Sequence, residues 1–206
     1  MFYSPELFLN TDQNIEIDLN KLPHWYQKGK FQFVTFRLND SLPAEVRHII
    51  QIRMNRFKDK YPQPWSQQTL KEYNILFRRN EQKALDTGYG ECILRIPRCR
   101  EIVMEALTYY KELECYDVVI MPNHIHLLAI FEEKPKVIIG KIKHYTATKI
   151  NSYLGRTGHL WQREIWDRLI RNESHLLNTR NYIHNNPRHL HPSTYTLLIS
   201  GHLLNP

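Results

Sequence analysis

The chain is short of cysteine and glycine and contains no long apolar run. Its 206 residues include three cysteines, Cys92, Cys99 and Cys115. An odd number without a CxxC pair excludes a disulfide framework and a zinc knuckle, and it points to a reducing compartment. Seven glycines and eleven prolines rule out a collagenous or low-complexity chain. No stretch reaches the roughly 18 to 20 apolar residues of a membrane span. The opening MFYSPELFLNTDQNIEID also lacks the basic start and apolar core of a signal peptide. The expectation is a cytoplasmic protein with no membrane partner. Acidic residues are unevenly spread, and none occurs from Lys134 to His159.

What is present is an ordinary globular composition with a basic bias. Hydrophobic residues make up 42% and charged residues 24%, enough for one domain with a real core. Lys and Arg number 28 against 21 Asp and Glu, a net charge of +7. That balance suits an anionic partner without saying which.

Residues 1–29 have weak periodicity and read as an extension. FQFVTFRL (31–38) alternates and is rich in aromatic and β-branched residues, a strand pattern. AEVRHIIQIRMNRF (44–57) and SQQTLKEYNILFRRNEQKAL (66–85) carry helical spacing, and Pro62 and Pro64 separate them. A further helix is expected from Arg100 to about Lys111. LECYDVVIM (113–121) and HIHLLAIF (124–131) are strand-like runs joined by Pro122-Asn123, which predicts an antiparallel hairpin. Residues 134–154 and 172–186 read as helices, the second capped by Asn172 or Ser174 and stopped by Pro187. Residues 187–206 read as an irregular tail. The order predicts an α+β fold, a ferredoxin-like antiparallel sheet with helices on one face.

Several residues could carry chemistry. His124 and His126 flank Ile125 in a strand, so both imidazoles should project from one face while Ile125 points into the core. Two neutral imidazoles side by side form a natural half-site for a divalent ion. With eleven histidines in the chain, such a pair also arises in ordinary packing. Tyr182 and Asn186 are four apart on the last helix and share a face. A phenol there could act as a nucleophile beside an ion, or both residues could be core and helix stop. The acid-free segment carries Lys134, Lys136, Lys141, Lys143, Lys149 and Arg156, interleaved with Tyr145, Thr146, Thr148 and Tyr153. A cationic helix with stacking groups suits a nucleic acid strand or hairpin better than a plain solvated face, which normally mixes both signs. In LWQREIWDRLIR (160–171), Trp161 and Trp166 could be core, and Arg163 and Arg171 could contact phosphates or base edges. Asp167 and Arg168 could equally form an internal ion-pair network.

The ordered combination of VVIMPNHIHLLAIF, a basic helix and LWQREIWDRLIRNESHLLNTRNYIHNNP resembles the HUH-class single-strand tyrosine transposases. It is most similar to their REP-associated branch, which is related to small insertion-sequence transposases. The resemblance runs from about His24 to Arg188. FVTFRLNDSLP and GYGECILR add to it, while Ile165 after WQRE and the continuation NPRHLHP depart from the usual family pattern. It implies a catalytic domain over 30–188, with the extension 1–29 before it and the tail 189–206 after it.

What it implies for chemistry is metal-dependent cleavage and strand transfer of single-stranded DNA bearing hairpins. His124 and His126 match the metal ligands, Tyr182 on a C-terminal helix the nucleophile, and Asn186 the amide completing the metal site. The implied ion is Mg²⁺ or Mn²⁺, and the implied intermediate is a 5′-phosphotyrosine. Lys136, Lys141, Lys143, Lys149, Arg156, Arg163 and Arg171 are the DNA-binding candidates, chosen on charge. Monomer and homodimer are both compatible with the pattern. A hairpin-binding protein without chemistry, and a metal-dependent hydrolase in which water attacks, are the rival readings.

Overall fold

The computed structural model describes residues 3–18, 24–62, 65–73, 76–77, 84–85 and 87–200. Strands β1 (Glu16–Asp18) and β2 (His24–Tyr26) form a small antiparallel pair. Strand β3 (Phe31–Arg37) is followed by helices α1 (Ala44–Lys60), α2 (Gln67–Tyr73) and α3 (Pro97–Tyr109). Next come strands β4 (Leu113–Ile120) and β5 (His124–Phe131), helix α4 (Pro135–Leu154) and strand β6 (Trp166–Leu169). Helix α5 (Glu173–Asn185) and strand β7 (Thr196–Ile199) are the last of these elements among the described residues. The sequence run expected to be helical to residue 85 lies partly outside the described residues beyond Tyr73.

All pairings in the five-stranded sheet are antiparallel, in the order β6-β3-β5-β4-β7. The first four strands, with α3 and α4 as the crossovers, are a split βαβ arrangement of the ferredoxin-like kind. The α+β class and the β4–β5 hairpin therefore match the sequence pattern, and β5 spans the predicted residues.

Period-2 alternation sorts side chains between the two faces. Val34, Phe36, Val118, Ile120, Ile125, Leu127, Ala129 and Phe131 pack against α3 and α4. Those helices present Ile102, Val103, Ala106, Ile138, Ile139, Ile142 and Ile150 at helical spacing. The opposite residues, Phe31, Phe33, Val119, Leu128 and Ile130, pack against Leu176 and Ile183 of α5. The two crossover helices thus share one face as expected, and the C-terminal helix crosses the other. Both faces of the central strands are apolar, so both need a cover. Phe8 of the N-terminal extension joins this second layer, 6.2 Å from Phe31.

The tail departs from the expectation of irregular structure. Thr196–Ile199 adds an edge strand to β4, with Ile120 opposite Thr196 and Asp117 opposite Ile199. Four residues are too few to show alternation, and buried arginines elsewhere hold the segment in place. Arg100 of α3 donates to the Ser193 carbonyl and to Thr196 Oγ1. Arg180 of α5 forms a fork with Asp117, at 2.6 and 3.2 Å. Arg180 also donates to the Ser200 carbonyl, and the Ser200 N–H donates to Asp117.

The Asp117 carboxylate is fully buried and Arg180 nearly so, and removing one partner would leave an uncompensated buried charge. Asp117→Ala should lower the unfolding free energy by about 3–5 kcal/mol in urea denaturation. A change below about 1 kcal/mol, the range of exposed pairs, would show that the pair is not a structural tie.

Candidate active site

The site forms where β5, β3 and α5 meet. Antiparallel register sets Thr35 opposite His126 and Arg37 opposite His124. The two imidazoles lie on the α5 side, their ring centroids 4.7 Å apart, and Ile125 turns into the opposite core. Helix α5 begins at Asn172, whose side chain accepts the His175 N–H at 2.9 Å. Asn172 is therefore the cap, and from it the helix runs to bring Tyr182 over the pair. The Tyr182 hydroxyl is 3.2 Å from His126 Nε2. Phe33 packs edge-on against both Tyr182 and Trp166, with centroids 5.9 and 5.3 Å away.

Hydrogen bonds to the outer ring nitrogens orient the imidazoles. The Asn123 amide nitrogen donates to the carbonyls of Leu85 and Tyr89, at 3.2 and 3.1 Å. That fixes which end of the amide faces His124. Asn123 Oδ1 lies 2.7 Å from His124 Nδ1 and can only accept, so Nδ1 carries the proton and Nε2 presents a lone pair. His126 Nδ1 lies 2.7 Å from Thr35 Oγ1. A neutral ring giving Nδ1–H to Thr35 leaves its Nε2 to accept from the Tyr182 phenol. The loop under Asn123 is tight. Gly90 has φ +92, and a Cβ there would sit 2.7 Å from the Asp40 carbonyl oxygen, so only glycine fits.

Burial keeps both histidines neutral. It pushes the His124 pKa down to about 3, with the charges of Arg37 and His189 acting in the same direction. His126 is held well below the ordinary value by burial, with His124 beside it.

Asn186 follows α5, and its backbone N–H bonds the Tyr182 carbonyl. Its Oδ1 is buried without a hydrogen-bond partner, a condition shared among the described side chains only with Gln32 Oε1. Such an orphan is costly unless a ligand satisfies it. No group of three or more His, Cys, Asp and Glu suited to a metal occurs among the described residues. Two imidazole nitrogens and an amide oxygen are donor types that a divalent ion accepts.

The basic segment is split by the fold. Lys136, Lys141 and Lys149 lie exposed on α4, with Lys141 paired to Glu133 at 3.2 Å and Lys149 5.8 Å from the Tyr145 ring centre. Arg156 pairs with Glu91. Lys143 corrects the charge-based expectation. It is buried, and its ammonium donates to the carbonyls of Gln162, Arg163 and Glu164, at 2.9, 3.4 and 3.2 Å. Desolvation lowers its pKa to about 8. Lys143 therefore braces the 162–164 turn and is unavailable to DNA. Arg163 and Arg171 are exposed. Trp161 is core, donating to Thr146 Oγ1. Asp167 pairs with His24 and accepts from Gln32.

Sequence reasoning missed Asn123 and Thr35. Thr35 left a faint signal, a polar residue inside an apolar strand. It also missed a cavity of about 520 Å³ that opens beside Tyr182, between the sheet and α1.

The family model described as "Transposase IS200 like" matches residues 71–186. A solved structure of a REP-associated tyrosine transposase bound to a REP hairpin is similar over 81% of this chain and 71% of that one. The two are 16% identical, with a TM-score of 0.43. No curated protein matches the chain. Among the described residues, no helix is long and apolar enough to cross a membrane.

The pH dependence of stability follows from the depressed histidines. The unfolded chain takes up a proton on His124 near pH 6.5, and the folded chain resists until about pH 3. Its contribution to stability is complete above pH 6.5 and is lost as pH falls through that window. Metal-free protein at pH 5 should be about 2 kcal/mol less stable than at pH 7 from this residue alone. Urea titrations at the two pH values would check it, and equal midpoints would contradict it.

Proposed function

The chain belongs to the IS200-like transposase family, and from that premise we propose that it cleaves and rejoins single-stranded DNA through Tyr182. The observation that carries this reading is the phenol oxygen of Tyr182 standing 3.2 Å from one of two adjacent, neutral imidazoles. The nucleophile is held rigidly by Phe33 and by α5, which favours attack on a bound phosphodiester.

In this reading Tyr182 Oη forms a bond to phosphorus while the bond to the 3′ oxygen breaks. One proton leaves the phenol and one is taken up by the 3′ oxygen. The product is a 5′-phosphotyrosine and a free 3′-OH. A covalent intermediate retains the phosphate for rejoining, whereas hydrolysis would lose it. His124, His126 and the Asn186 amide would hold Mg²⁺ or Mn²⁺. Such an ion supplies Lewis-acid charge stabilisation at the phosphate. Asn123 and Thr35 orient the two imidazoles, and burial ensures that neither carries a competing proton. The exposed Lys136, Lys141 and Lys149 of α4, with the stacking faces of Tyr145 and Tyr153, suit the backbone of a DNA hairpin. Arg156, Arg163 and Arg171 would extend that contact.

The test uses hairpin oligonucleotides labelled at the 3′ end, incubated with protein and Mn²⁺ and run on a denaturing gel. Label should remain on the protein, depend on metal and disappear in Tyr182→Phe. Labelled free fragments without an adduct would indicate water as the nucleophile. Binding without cleavage would indicate a hairpin-binding protein. A second prediction concerns Asn123→Ala, which frees the His124 ring to rotate and change tautomer. Mn²⁺ affinity measured by calorimetry should fall about 10- to 100-fold. An unchanged affinity would remove Asn123 from the site.

A further inference from the structure

The contacts that orient His124 continue beyond Asn123. The Asn123 side chain is buried, yet the carbonyls that fix it belong to Leu85 and Tyr89, and Tyr89 lies in a largely exposed segment, residues 87–91. A carbonyl on an exposed segment can orient a buried amide only if the segment is itself held. Locally, the Gly88 N–H donates to the Leu85 carbonyl at 3.0 Å, and the Cys92 thiol lies 3.0 Å from the Gly88 carbonyl. Longer ties meet at Glu91. Its backbone N–H donates to Asp40 Oδ2 at 2.8 Å, across 51 positions of sequence. Its carboxylate pairs with Arg156, just after α4.

Asp40 stands on a well-tied turn. The Ser41 N–H donates to the Leu38 carbonyl at 3.2 Å, and the buried Ser41 hydroxyl donates to the same oxygen at 2.7 Å. These bonds close a β-turn directly after β3, with Asp40 between its two ends. The Leu38 N–H donates to the Asn123 carbonyl at 2.9 Å. One turn therefore meets the Asn123 main chain directly and its side chain through residues 87–91. The two segments approach closely at Gly90, where a Cβ would sit 2.7 and 2.8 Å from the Asp40 carbonyl and carboxylate oxygens. Aspartate suits a turn for its own sake, through bonds to its neighbours. This carboxylate reaches a distant N–H, and an ionised acceptor makes that the stronger kind of hydrogen bond. The Arg156–Glu91 pair is a surface pair, of the kind that contributes little.

We propose that Asp40 is a positioning residue for the His124 imidazole, acting through residues 87–91 and the Asn123 amide. Held in this way, Asn123 Oδ1 faces His124 Nδ1 and keeps the proton there, so Nε2 presents its lone pair to the site. Without Asp40, water can satisfy the Glu91 N–H, because that bond is exposed, but water does not fix where it lies. The Tyr89 carbonyl then loses its alignment with the amide, which is free to turn over and present its nitrogen to the ring. An amide NH₂ in that place can only donate, so the imidazole proton moves to Nε2 and the lone pair faces away from the site. The inference rests on the two-imidazole site of the cleavage reading above and names what holds one of its rings.

Nuclear magnetic resonance tests this without DNA or metal. Two-bond proton–nitrogen correlation spectra of the full, isotope-labelled chain at pH 7 report which ring nitrogen of His124 carries the proton. Wild type should show the Nδ1–H form. Asp40→Ala should bring up the Nε2–H form and lower Mn²⁺ affinity in calorimetry about 10-fold, with the urea midpoint close to wild type. Asp40→Asn keeps an acceptor and should give wild-type readings in both. Glu91→Ala keeps the N–H while removing the Arg156 pair, and should do the same. Hydrogen exchange in the wild type needs no variant, so it stands even if Asp40→Ala fails to fold. The Glu91 N–H and the Asn123 side-chain NH₂ should share one opening constant, since one motion releases both. An unchanged tautomer in folded Asp40→Ala, or an Asn123 amide far better protected than Glu91, would overturn the role of Asp40 and leave the transposase reading intact. The expected tautomer shift in a protein that forms no DNA adduct would uphold Asp40 and overturn the cleavage reading.

Discussion

The antiparallel pairing of β3 with β5 is the constraint on which the rest depends. It sets Thr35 opposite His126 and Arg37 opposite His124, and it fixes which face of the sheet receives the imidazoles. A shift of one residue would turn both rings into the core under α3 and α4 and bring Ile125 to the surface of the site. That slip is strongly disfavoured, because Ile125, Leu127 and Ala129 are all fully buried on the crossover-helix side. The packing that stabilises the fold is thus the same packing that aims the two histidines.

Around that pairing, each candidate side chain of the site is held by a neighbouring group. Asn123 is fixed by two backbone carbonyls and in turn fixes His124. Thr35 meets His126, and Phe33 braces Tyr182. Arg180 lies two residues before Tyr182 on α5 and ties that helix to β4 and to the edge strand through Asp117 and Ser200. Helix α5 is therefore anchored at its cap by Asn172 and along its length by a buried ion pair. Tyr182 on such a helix has little freedom, which suits the position-dependent reaction proposed for it.

Lys143 shows where charge counting fails. On the sequence it stands in the same acid-free run as Lys141 and Lys149, and charge alone does not separate them. In the folded chain it lies on the buried stripe of α4 and satisfies three carbonyls of the turn before β6. Conversely, the strand Thr196–Ile199 was invisible because its partners, Arg100, Arg180 and β4, are remote in sequence. Only the docked arginines make that segment regular.

The sequence by itself determined most of the elements and which residues are candidates for chemistry. Alternation marked β3, a strand-like run marked β5, helical spacing marked α3 to α5 to within a few residues, and the His-Ile-His spacing put both imidazoles on one face. The ordered motifs also pointed to the family that the match over 71–186 shows. These features are local or lie in strict order along the chain, so they can be read without coordinates. Tertiary structure alone decided which face of the sheet α5 covers, which lysine is buried, how Asn123 sets the His124 tautomer, and where α1 leaves a cavity. Each of those depends on contacts between residues tens of positions apart, whose meeting is fixed by packing and not by spacing.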